Sequence, residues 1–209
     1  LGENYRRKES DSTIGGVPVD SEYIIFVIDT SGSMFNYSWD MLLTKVEETL
    51  QVHPSVKGIQ VMNDMGDFMF SRYTNRWIPD TPARREAIIQ RLKTWTPFSN
   101  SSPVEGITAA IRTFYAPDKK ISIYVMGDEF TGSSISDVVR TVDRINREDE
   151  NGNRLVRIHA IGFPVQFANA PRFQTTGTRF ATLMRILCYK NGGTFVGLQN
   201  YKDDKRYGL

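Results

Sequence analysis

"YIIFVIDTSGSM", Tyr23 to Met34, runs from an apolar stretch rich in β-branched residues into a carboxylate, then into small hydroxyl residues around one glycine. The apolar part has the length of a buried strand, so Asp29, Ser31 and Ser33 stand in the loop at its carboxyl end. A carboxylate and two hydroxyls in that place are chemistry for a metal ion, a phosphate or a nucleophile, or they are simply a turn.

The rest of the chain repeats this alternation. Gly58 to Met62, Ile121 to Met126, Val156 to Ile161 and Thr194 to Val196 read as further buried strands, with a weaker one near Asp67 to Ser71. Between them apolar residues recur at helical spacing: Leu42, Val46 and Leu50; Val104, Ile107, Ile111 and Phe114; Phe180, Leu183, Met184 and Leu187. Strand and helix in alternation predict an α/β fold, a doubly wound, mostly parallel sheet flanked by helices on both faces. Thr81-Pro82 has the form of a helix start and Asn191-Gly192 that of a stop. Residues 1–20 read as an N-terminal extension, 21–200 as one domain and 201–209 as a charged C-terminal tail.

A chain of 209 residues, 40% of them hydrophobic, can bury one sizeable core. Its 26 basic and 24 acidic residues leave a net charge of +2, which gives no general electrostatic case for nucleic acid or an anionic membrane. Cys188 is the only cysteine, which excludes an intrachain disulfide and a cysteine-rich zinc site. No apolar run approaches the roughly 20 residues of a spanning helix, so no membrane insertion is expected. A start at Leu1 rather than Met is expected of a processed or excised piece.

In open α/β sheets, ligands bind outside the carboxyl ends of the strands. Asp29, Ser31 and Ser33 follow the first strand, Asp128 follows "ISIYVMG", and Ser102 closes "TPFSNSS" ahead of a helix. Two carboxylates and three hydroxyls, with no imidazole or thiolate, make an oxygen-only set that suits Mg²⁺ or Mn²⁺. Each member also has a plain structural reading, since Asp and Ser form turns and Ser102-Pro103-Val104-Glu105 matches a capping box. A serine hydrolase would need a base, and both histidines, His53 before a proline and His159 within "RIHAI", read as structural. The best enzymatic alternative is Mg-dependent phosphoryl transfer at Asp29, although Ser31 stands where haloacid-dehalogenase-type enzymes place a second carboxylate. Asp64 and Asp67 in "NDMGD" read as a turn, and Arg84, Arg85, Arg91 and Lys93 as a solvated helix face.

"DTSGSM" directly after an apolar strand resembles the D-x-S-x-S motif of von Willebrand factor type A domains, which are similar to integrin I domains. "SSPVEGI", "IYVMGDE" and "NGGTFVGL" extend the resemblance from about Glu22 to Leu198. The resemblance implies a Rossmann-like fold and an interaction module rather than an enzyme, carrying a metal-ion-dependent adhesion site. In such a site Ser31, Ser33 and Ser102 would bind Mg²⁺ (or Mn²⁺ or Ca²⁺) directly, with Asp29 and Asp128 acting largely through water. The family usually has Thr at the place of Ser102, and T-D-G where this chain has Gly127-Asp128-Glu129. The resemblance further implies a protein partner that donates Asp or Glu to the metal; a purely structural metal is the other reading of the same site. Met34, Phe35 and Tyr37, with Phe167, Arg172 and Phe173 in the segment Pro164 to Thr178, are the expected partner contacts. Similarity to bacterial secreted and envelope examples favours an extracytoplasmic location.

Overall fold

In the computed structural model, which describes residues 20–199 except 133, 151, 169, 170, 172 and 173, and the backbone of 13, 14, 17 and 18, the opening apolar run is a central strand. A short antiparallel pair precedes it, β1 (Thr13–Ile14) with β2 (Val17–Pro18). The run is β3 (Tyr23–Ile28), joined by β4 (Gly58–Asn63), β5 (Ile121–Gly127), β6 (Val156–Gly162) and β7 (Phe195–Gly197). These form a five-stranded sheet of order β4-β3-β5-β6-β7 in which every pairing is parallel.

Parallel neighbours cannot be joined by hairpins, so helices carry the chain back each time. α1 (Gly32–Tyr37) and α2 (Trp39–Val52) follow β3, while α3 (Pro82–Leu92) and α4 (Val104–Phe114) follow β4. α5 (Ile135–Ile145) connects β5 to β6, and α6 (Thr175–Lys190) connects β6 to β7. Ile24, Phe26 and Ile28 pack on one face with Leu42, Val46 and Ile88 of α2 and α3. Ile25 and Val27 point the other way, onto Ile107, Ile111, Val142 and Leu183 of α4, α5 and α6. A strand covered on both faces needs apolar residues at every position, which is why β3 shows no polar alternation. The doubly wound sheet is the expected one.

Local signals hold at two helix ends. Thr81 Oγ1 accepts the Arg84 N–H at 3.3 Å with Pro82 opening α3, and Asn191 ends α6 ahead of Gly192 at φ +65°. Three expectations are corrected. The segment Asp67 to Ser71 is no strand: Asn63 Oδ1 accepts the Met65 and Asp67 N–H groups around Gly66 (φ +93°), and the returning chain makes a single bridge, Phe68 to Met62, before a 3₁₀ turn at Ser71–Tyr73. Ser102 does not cap α4, whose N-cap position is Pro103 with no side-chain bond. Arg85 is not solvated but donates to both oxygens of Asp80 (2.6 and 2.7 Å) and to the Leu50 and His53 carbonyls (2.6 and 2.7 Å), tying α3 to the end of α2.

Both histidines sit in the core. His53 Nε2 lies 2.6 Å from the Tyr124 hydroxyl, the Tyr124 and His159 rings stack at 4.9 Å, and His159 Nδ1 accepts the Thr194 N–H at 3.1 Å. Burial holds His53 down at about 4 and His159 at about 3, so both are neutral at neutral pH. Among the described residues no helix is long and apolar enough to cross a membrane.

Candidate functional site

Strand register sets the site. Ile28 pairs with Asn63 on one side and Met126 on the other, so Asp29, Asp64 and, one residue later, Asp128 leave the sheet side by side. The ladder continues one bond beyond β3 and β4: Asp64 N–H donates to the Ile28 carbonyl at 2.9 Å and Asp29 N–H to Met126 at 2.8 Å. α1 and α2 leave β3 over one face while α4 approaches from the other, so these ends lie where the winding reverses.

The side chains form a network. Asp29 Oδ1 accepts the Ser31 N–H at 2.8 Å and the Ser99 hydroxyl at 3.4 Å, and the Ser31 and Ser33 hydroxyls are 2.9 Å apart. Asp64 Oδ2 accepts the Ser99 hydroxyl at 2.6 Å and the Ser102 N–H at 3.3 Å. Asp128 Oδ2 accepts from Gln166 Nε2 at 2.8 Å. Gly127 lies close against Asp29, since a Cβ there would stand 3.1 Å from Asp29 Cβ and 3.3 Å from its Oδ2. Ser101 adopts φ +55°, a left-handed backbone that costs a non-glycine residue about 1 kcal/mol. It is held by its N–H to Ser99 Oγ (3.1 Å), and Thr131 binds the Ser101 and Asn100 carbonyls (3.3 and 2.9 Å).

All three carboxylates are buried, and Asp29 Oδ2, Asp64 Oδ1 and Asp128 Oδ1 have no hydrogen-bond partner. Among the described residues no Lys or Arg forms an ion pair with any of them. Burial raises Asp29 well above the usual carboxylate range, and the charges of Asp128 and Asp64 push it further. Burial also raises Asp128, opposed by its bonds to Gln166 and Ser33 and reinforced by Glu129. Asp64 is raised by burial against the bonds from Ser99 and Ser102. Buried carboxylates that repel one another, each with a bare oxygen, beside paired hydroxyls, fit a hard cation. Among the described residues no group of three or more His, Cys, Asp or Glu could hold a metal ion, so a site here would need serine hydroxyls in its donor set with at most two carboxylates.

The structure brings Asp29, Ser31, Ser33, Ser102 and Asp128 to this one end of the sheet. Asp64, Ser99 and Gln166 belong with them and escape the sequence reading. For Asp64 the signal available was a carboxylate just past the expected strand Gly58 to Met62; the register that sets it beside Asp29 was not in the sequence.

The expected partner contacts divide. Met34 is corrected: its position in α1 turns it into the core between β3 and α2, fully buried, where it offers a partner nothing. Phe35 is half-buried and stacks on Trp39 at 3.8 Å, whereas Tyr37 and Phe167 are 69% and 47% exposed. Arg172 and Phe173 lie outside the described residues. Two further exposed apolar side chains border the site: Met65 next to Asp64, and Phe98, 76% exposed, next to Ser99.

No family model and no curated protein matches the chain. Solved structures do match. A von Willebrand factor type A protein from Catenulispora acidiphila superposes with a TM-score of 0.61 at 12% identity, over 86% of this chain and 39% of that one. The VWA domain of SpRpn10 gives 0.52 at 13% identity, over 85% and 88%. The pilus adhesin SpaC from Lactobacillus rhamnosus GG gives 0.52 at 13% identity, over 90% and 30%. The chain spans about two fifths of the first of these and under a third of the last.

Proposed function

We propose that this chain, which has the fold of von Willebrand factor type A domains, is a divalent-cation-dependent protein-interaction module. Ser31, Ser33 and Ser102, with Asp29 and Asp128, would hold Mg²⁺, Mn²⁺ or Ca²⁺. The ion would supply a positive, Lewis-acidic point that an Asp or Glu of a protein partner completes. The observation that carries this reading is the set of buried carboxylates with bare oxygens beside two hydroxyls 2.9 Å apart. Hydroxyl ligands leave a cation more electrophilic than carboxylates alone would, which favours an external acid.

The surroundings support interaction over catalysis. His53 and His159 are engaged inside the core, and no imidazole bonds to Ser31 or Ser33 among the described residues. Tyr37, Met65, Phe98 and Phe167 are exposed on segments that border the site, the composition of a contact rim. Similarity of fold to a pilus adhesin is in keeping with an adhesive role.

The test is calorimetric titration of Mg²⁺ and Mn²⁺ into chelator-stripped protein, with Asp29→Ala beside it, followed by partner capture with and without chelator. Saturable binding that Asp29→Ala loses while keeping its circular dichroism supports the reading. Absence of binding to the wild-type chain, or equal binding by the variant, overturns it.

A further inference from the structure

We infer that Asp64, without ligating the ion itself, adds a negative charge beside the cation site, and that its carboxylate also fixes where the second loop presents Ser102. The inference rests on the cation reading above and assigns a role to a residue outside the D-x-S-x-S loop.

Asp64 is joined to β3, to α4 and to the second loop by separate bonds. Its backbone N–H donates to Ile28 of β3, and its carbonyl accepts the Gly106 N–H of α4 at 2.7 Å. Its carboxylate accepts from Ser99 and Ser102 in the second loop. The Ser99 hydroxyl lies between Asp64 Oδ2 and Asp29 Oδ1, at 2.6 and 3.4 Å, so the two carboxylates meet around one hydroxyl.

A positioning role alone leaves half of the group unexplained. Asp64 is completely inaccessible, yet its Oδ1 has no partner. An asparagine could accept the same Ser99 and Ser102 bonds without burying a charge. A carboxylate with a bare oxygen in this place is costly unless a cation offsets it. A carboxylate bonded to Ser102 and linked to Asp29 through the Ser99 hydroxyl would also couple the two loops, so that an ion drawn to Asp29 draws Ser102 with it.

The test uses Mn²⁺ titration of the wild-type chain, Asp29→Ala, Asp64→Asn and Asp64→Ala, with amide exchange of Ser102. Asp64→Asn is expected to weaken Mn²⁺ binding by about 10–100-fold while Ser102 stays protected. Asp64→Ala is expected to lose both. Wild-type affinity in Asp64→Asn, with Asp29→Ala still inactive, overturns this inference and leaves the cation reading standing. No Mn²⁺ binding by the wild-type chain overturns both. A measurement that needs no variant is the carbon resonance of the Asp64 carboxyl, expected to shift on adding Mg²⁺ to the wild-type chain; an unmoved resonance at saturation overturns the inference.

Discussion

The Gly106 N–H donates to the Asp64 carbonyl at 2.7 Å, and a methyl on Gly106 would stand 2.6 Å from the Asn63 carbonyl oxygen and 2.7 Å from Val27 Cγ1. The first turn of α4 is therefore pressed onto the ends of β3 and β4, with the Asn63 and Asp64 carbonyls and the buried Val27 side chain in the way. At an open helical position Gly→Ala stabilises by about 1 kcal/mol. Here Gly106→Ala is expected to destabilise by about 1–3 kcal/mol and to weaken Mn²⁺ binding, because α4 carries Ser102 at its head. Urea denaturation and titration check both, and a gain in stability would contradict the packing described.

Arg85 supplies a second strong expectation. Its guanidinium holds Asp80 through two bonds and closes two carbonyls at the end of α2. Arg85→Ala should cost about 3 kcal/mol, since it leaves the Asp80 carboxylate with only the Val56 N–H and frees two carbonyls. Arg85→Lys should recover only part of this, a lysine lacking the fork. A change within about 0.5 kcal/mol, the range of ordinary surface substitutions, would refute it.

Acid should destabilise the core through the histidines. His53 and His159 titrate lower in the folded chain, at about 4 and about 3, than the 6.5 of a free imidazole. Their contribution is complete above pH 6.5 and drains away as pH falls toward those values, by about 1–2 kcal/mol each at pH 5. His159→Phe should flatten the slope of stability against pH between 6.5 and 5, measured by urea melts. An unchanged slope would mean that His159 is not buried as a neutral ring.

The carboxylates pull in the opposite sense. Asp29, Asp64 and Asp128 are raised above the ordinary 3.8, so the ion-free chain loses stability as pH rises from there through their folded values. A bound cation offsets that loss where they are ionised. Saturating Mg²⁺ at a hundred times its Kd should therefore add about 2.7 kcal/mol at pH 7.5, with the gain shrinking as the solution is acidified. Thermal melts with and without Mg²⁺ across this range check it; a gain independent of pH would point to a site elsewhere.

Phe98 is expected to separate binding from stability. Exposed and next to Ser99, Phe98→Ala should leave the melting temperature nearly unchanged while weakening capture of a protein partner. Equal capture would remove Phe98 from the contact rim.

The alternation of apolar strands with helical stripes, the Thr81-Pro82 start and the Asn191-Gly192 stop are all written in neighbouring residues, because periodicity and capping are local physics. So is the Asp29 to Ser33 loop, which any strand ending there would present. The fate of Asp64, Met34, Ser102 and Arg85 depended on residues far away in the chain. Pairing Ile28 with Asn63 turns an apparent turn residue into a neighbour of Asp29. Docking α4 against the end of β4 sends the Ser102 amide to Asp64 and leaves no cap for Ser102 to form. Identity and spacing determined which groups could do chemistry, whereas the parallel register and the docking of α4, both contacts between distant segments, decided which of them meet.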